Sequence, residues 1–119
     1  MFLSSATKIY LAKNHVDMRK SFNGLAQIIA DVFEDNPLSG HMFVFLNKRQ
    51  DKVKILYWDR NGFCLWQKRL EEGKFRVELD PSESHERVEI SSTKLGLLVS
   101  GAKWQGLREG KDFSDRRLN

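Results

Sequence analysis

Seven cations fall within residues 47–69: Lys48, Arg49, Lys52, Lys54, Arg60, Lys68 and Arg69, against the two acids Asp51 and Asp59. Tyr57, Trp58, Phe63 and Trp66 are interleaved with them. Cations neutralise phosphates and aromatic rings stack on bases, so this mixture suits nucleic-acid binding. Residues 1–20 extend the basic character with four cations, Arg19 and Lys20 among them, against one acid. Residues 71–90 reverse it, with seven acids against three cations. The net charge of +4 and pI near 9.3 therefore conceal a segregated distribution, and the positive block is the informative part.

Other chemistries find less support. His15, His41 and His85 are far apart and the single Cys64 has no Cys-x-x-Cys partner, so no metal site is expected. Cys64 falls within an expected strand, where it reads as a small hydrophobe and not as a nucleophile. A nuclease would need carboxylates converging on two Mg²⁺ ions, but Asp59, Glu71 and Glu72 sit in expected turns. Gly62 and Gly73 are isolated turn residues, not a phosphate-cradling loop. No enzyme activity, cofactor, metal or small-molecule substrate is expected.

At 119 residues and 13.9 kDa the chain accommodates one small domain, expected over residues 1–102, followed by a polar tail over 103–119 that frays. A hydrophobic fraction of 40% is enough to build a core. No apolar run approaches the roughly 20 residues that span a bilayer, so no membrane association is expected. The first residues lack a basic and then apolar leader, and one cysteine excludes an internal disulfide framework. A reducing cytoplasm is the expected compartment.

The elements that must position the cations are legible from periodicity. Lys8–Leu11 reads as a short strand. Asp17 is placed to cap a long helix carrying Met18, Phe22, Leu25, Ile29, Val32 and Phe33 on one stripe, ended by Asp35-Asn36-Pro37. His41–Leu46 is apolar throughout, as in a strand buried on both faces. Val53–Trp58 and Phe63–Leu70 flank Asp59-Arg60-Asn61-Gly62, a hairpin signal in which Asn and Gly tolerate positive φ. Glu71-Glu72-Gly73 then predicts a second hairpin into Lys74–Leu79, where Phe75, Val77 and Leu79 alternate. Arg87–Ile90 adds a short strand, and Ser91 or Ser92 caps a short helix with Leu95, Leu98 and Val99, closed by Gly101. The expected fold class is α+β: an antiparallel β-meander of about four to six strands, one long helix in the N-terminal half and one short C-terminal helix.

Turn geometry then assigns faces. A four-residue loop at Asp59–Gly62 sets Trp58 opposite Phe63 and Leu56 opposite Leu65. One face collects Leu56, Trp58, Phe63, Leu65, Phe75, Val77 and Leu79; the other collects Tyr57, Cys64, Trp66, Lys68, Lys74 and Arg76. If the second face is open, Tyr57 and Trp66 are base platforms among cations. If a helix covers it, they are core and the cations form a solvated rim. The candidate nucleic-acid residues are Arg19, Lys20, Lys48, Arg49, Lys52, Tyr57, Trp66, Lys68, Lys74 and Arg76.

Several segments also resemble a known family. Asp17-Met18-Arg19-Lys20-Ser21-Phe22-Asn23-Gly24-Leu25 is similar to the DMRK-x-F-x-GL block of the TnpB-type accessory proteins of the insertion-sequence-66 family of bacterial mobile elements. Phe43–Arg49, Lys54–Asp59, Gly62–Trp66, Lys68–Leu70 and Gly73–Phe75 match further blocks of that family in order. Family members usually continue with a Trp-Pro pair, where this chain has Arg76-Val77. The resemblance implies an element-encoded protein that works beside a separate transposase, and does not imply catalysis. Taken with the basic, aromatic-rich surface, it leads to the expectation of a non-catalytic accessory factor for transposition, with the transposase, other proteins of the same element and element DNA as partners. The alternative it leaves open is a protein adaptor that binds the transposase without contacting DNA.

Overall fold

A computed structural model describes residues 6–101, so the tail expected over 103–119 lies outside the described residues. Five strands and two helices follow one another as β1 (Ile9–Ala12), α1 (Phe22–Asp31), β2 (Met42–Leu46), β3 (Lys52–Asp59), β4 (Gly62–Arg69), β5 (Arg87–Ile90) and α2 (Ser92–Ser100). They form one sheet in the order β4-β3-β2-β1-β5. No helix among the described residues is long and apolar enough to cross a membrane.

The fold is α+β, but the sheet is mixed. β1 pairs with β2 in parallel, with Tyr10 opposite Phe43, while the other neighbours are antiparallel. Parallel neighbours need a crossover, and α1 supplies it between β1 and β2. The expected antiparallel meander is therefore confined to β2–β3–β4. Its hairpin has the expected register, Trp58 opposite Phe63 and Leu56 opposite Leu65. The positive φ falls on Arg60 at 53°, not on Asn61 or Gly62.

Two further expectations are corrected. The helix expected from Met18 begins only at Phe22, because Asp17 does not cap it: its carboxylate is taken by Arg19. At ten residues α1 is hardly longer than the nine of α2. Leu25 and Ile29 are fully buried on its stripe, whereas Phe22 is 42% exposed. The segment 74–79 forms no strand. The Leu70 N–H bonds the Asp51 carbonyl and the Phe75 N–H bonds the Gln50 carbonyl, at 2.8 and 2.7 Å. The chain thus turns back across the sheet end instead of pairing with the outer edge of β4. The alternating apolar residues still find a core: Phe75 is fully buried and Val77 and Leu79 pack beside it, on the face opposite to the expected one.

Each sheet face has its own core. Beneath α1 lie Tyr10, Phe43, Phe45 and Leu56 with Leu25 and Ile29, and Phe33 stacks on Phe43 and Phe45. Beneath α2 and the 75–79 segment lie Leu11, Val44, Val53, Ile55, Leu95 and Leu98. α2 begins where the Ser91 side chain accepts the Lys94 N–H and ends at Gly101, whose φ of 82° suits a residue without Cβ. At the β5 edge, Arg87 stacks 4.2 Å over the Tyr10 ring and donates to both Asp35 oxygens at 2.8 and 3.1 Å. That clamp ties the last strand to the turn after α1.

Candidate nucleic-acid interface

One end of the sheet gathers the C-terminal ends of β1, β2 and β4 and the start of β3. Two loops rise from it, residues 13–21 after β1 and residues 47–51 after β2. Between them runs an open groove of about 690 Å³. His15, Asp17 and Arg19 stand on one wall, Lys48, Arg49 and Lys52 on the other, with Val16, Met18 and Asn47 between them. A second cavity of about 380 Å³ continues it past Met18 and Lys52 to Gln67, Lys68 and Arg69. Cations from four separate elements therefore face one contiguous surface.

The 47–52 loop is built rigidly. Asn47 Oδ1 accepts the N–H groups of Asp51 and Lys52 at 3.1 and 2.9 Å, and Asn47 Nδ2 donates to Asp51 Oδ1 at 2.6 Å. This Asx geometry fixes a turn whose Gln50 takes a positive φ of 60° and leaves Lys48 and Arg49 exposed at its crest. The Asn47 amide holds the Asp51 carboxyl below its usual range.

The opposite wall is built differently. The Val16 N–H donates to the Leu46 carbonyl at 2.9 Å, docking the loop on the end of β2. Arg19 lies along its own turn: Nη2 donates to Asp17 Oδ2 at 2.6 Å and Nε reaches both oxygens. Those bonds bring the Asp17 carboxyl down to about 2. The turn itself rests on Lys54, the one buried charged side chain among the described residues. Its Nζ donates to the carbonyls of Met18 and Lys20 at 2.8 and 2.7 Å. The aliphatic stem of Lys20 lies over Gly24, where an added Cβ would sit 3.2 Å from it. A short helix start without side chain lets that stem lie flat.

The ten candidate residues separate into three sets. Arg19, Lys48, Arg49 and Lys52 line the groove together, with Lys20 exposed beside Arg19. Lys74 and Arg76 are exposed on either side of Phe75, which bonds Gln50, and so flank the 47–52 loop from its far side. Tyr57 and Trp66 belong to the other sheet face, and so does the Lys68 ammonium, although Lys68 also lines the second cavity. Tyr57 and Trp66 pack, half-buried, against the core cluster that includes Phe75, Leu95 and Leu98. Burial and the neighbouring Cys64 thiol push the Tyr57 phenol above its ordinary range. Lys68 Nζ donates to the Val99 carbonyl at 2.8 Å, a cation placed on the negative end of α2.

Sequence reasoning missed Asn47, Asp51 and Lys54, which position the cations. The first two carry a signal, an Asn and an Asp four apart bracketing a polar connection between strands. Lys54 does too, as a lone cation between Val53 and Ile55. Among the described residues no group of three or more His, Cys, Asp or Glu side chains is placed to hold a metal ion.

Residues 7–109 match the family model described as IS66 Orf2 like protein. Two curated relatives, both from Sinorhizobium fredii (strain NBRC 101917 / NGR234), are similar across most of the chain. Uncharacterized protein y4hO is 35% identical over 102 residues, 86% of each chain. Uncharacterized protein y4jC is 35% identical over 101 residues, 85% of this chain and 84% of its own. No solved structure matches. With the model spanning nearly all the described fold, including both loops of the groove, the chain belongs to the IS66 Orf2-like family of transposition-associated accessory proteins.

Proposed function

We propose that this chain is a non-catalytic accessory factor for transposition of an insertion-sequence-66-type element, binding DNA along the groove between residues 15–19 and 47–52. The observation that carries the reading is the convergence of Arg19, Lys48, Arg49 and Lys52 on one open groove with rigid walls. Such a surface neutralises phosphates without reading base edges, which makes binding electrostatic and tolerant of sequence. Its partners are the element's transposase and the element's DNA, and the factor supplies position rather than chemistry. The adaptor alternative draws on exposed Phe22, Val32 and Leu38, on α1 and the turn after it, none of which lines the groove.

Titration of a duplex at several salt concentrations tests the reading. Four phosphate contacts give a slope of log K against log salt of about −3 to −4. Arg49→Gln or Lys52→Gln is expected to lower affinity roughly 3–10-fold and to flatten the slope by about 0.9, with the thermal transition unchanged. A slope that stays put in both variants, or no binding at low salt, favours the adaptor.

A further inference from the structure

We infer that the groove selects duplex DNA over single-stranded DNA, an inference that rests on the nucleic-acid reading above. Binding an unpaired strand takes successive bases stacked on aromatic rings set beside the cations. This fold separates the two. Tyr57 and Trp66 are half-buried against the core of the other sheet face, and exposed Phe22, two residues after Lys20, is not among the residues that line the groove. Trp58 and Phe63 pack edge-to-face on each other, their centroids 5.1 Å apart, at the far end of the β3–β4 hairpin. Six residues of extended strand put Trp58 roughly 20 Å from Lys52. Among the described residues His15 is the one ring on the groove wall, and one imidazole cannot stack a run of bases.

What remains at the groove matches a duplex backbone. The cations stand on two fixed loops, so they meet a rigid array of phosphates without ordering a flexible strand around them. A duplex also presents about one charge per 1.7 Å of axis, the densest target for such a surface. The acids bound its path. The 83–86 turn lies at the β5 flank of the same sheet end, anchored where the Lys13 N–H donates to the Glu86 carbonyl and Asn14 Nδ2 to the Glu86 carboxylate. Phosphates are repelled there and drawn to the β2–β3–β4 side.

The test is competition between a duplex and each of its separated strands for the full-length chain at about 50 mM salt, followed by anisotropy of a labelled duplex. Expected is at least about tenfold tighter binding of the duplex. Tyr57→Leu and Trp66→Leu, which remove the ring and keep apolar packing, are expected to leave both affinities unchanged, where loss of a stacking ring would cost roughly 5- to 150-fold per base. Single strands that compete as well as the duplex, with Arg49→Gln weakening both, overturn the selectivity and leave the nucleic-acid reading standing. Failure of duplex and single strands alike to bind overturns both.

Discussion

Phe75→Ala is expected to cost about 3–5 kcal/mol, as much as a buried phenylalanine of the sheet, although Phe75 belongs to no helix or strand. Its ring is fully buried against Val53, Ile55, Leu95 and Leu98, and it holds an irregular segment across the sheet end. Alanine there removes the apolar contact and leaves a cavity that only the segment itself could fill. Moving the segment would break the bond from the Phe75 N–H to the Gln50 carbonyl and loosen the groove wall. A thermal midpoint lower by roughly 10–20 °C, with the urea slope retained, is the expected readout. A loss below about 1 kcal/mol would mean that the 74–79 segment is not packed as described.

The second large effect falls on Lys54→Met. Methionine keeps the stem but removes the ammonium, leaving the carbonyls of Met18 and Lys20 without their donor. Each orphaned acceptor costs about 1–3 kcal/mol while it stays buried, so the turn is expected to lift towards water. A net loss of about 2–3 kcal/mol is expected, with hydrogen exchange of residues 17–21 accelerated well beyond the rest of the fold. Duplex affinity should fall as well, although Lys54 is buried and makes no phosphate contact of its own. Unchanged exchange across 17–21 would show that the turn is held by something else.

How far the sequence reached depended on whether the determining interaction was local. The β3–β4 register followed from a four-residue turn, and both ends of α2 from Ser91 and Gly101. The start of α1 was misplaced because Asp17 has two suitors, the helix N–H groups and Arg19, and only geometry decides between them. The alternation of Phe75, Val77 and Leu79 reported burial correctly but not the ladder. Period-two burial arises equally from a strand and from an extended segment lying across a core. The parallel pairing of β1 with β2 has no local signature at all. The candidate site divides the same way: the exposed cations were legible from charge, whereas the packing of Tyr57 and Trp66 against Phe75, Leu95 and Leu98 depended on tertiary contacts.

The central claim is that the cations on the 13–21 and 47–52 loops form one DNA-contacting groove. Amide shift mapping of the ¹⁵N-labelled full chain during titration with a short duplex at low salt tests it most directly. The expected perturbations concentrate at residues 15–20 and 47–52, with the side-chain Nε resonances of Arg19 and Arg49 among the largest. Perturbations centred on Phe22 and Val32, or on the Arg60-Asn61 turn, with residues 47–52 silent, would contradict it.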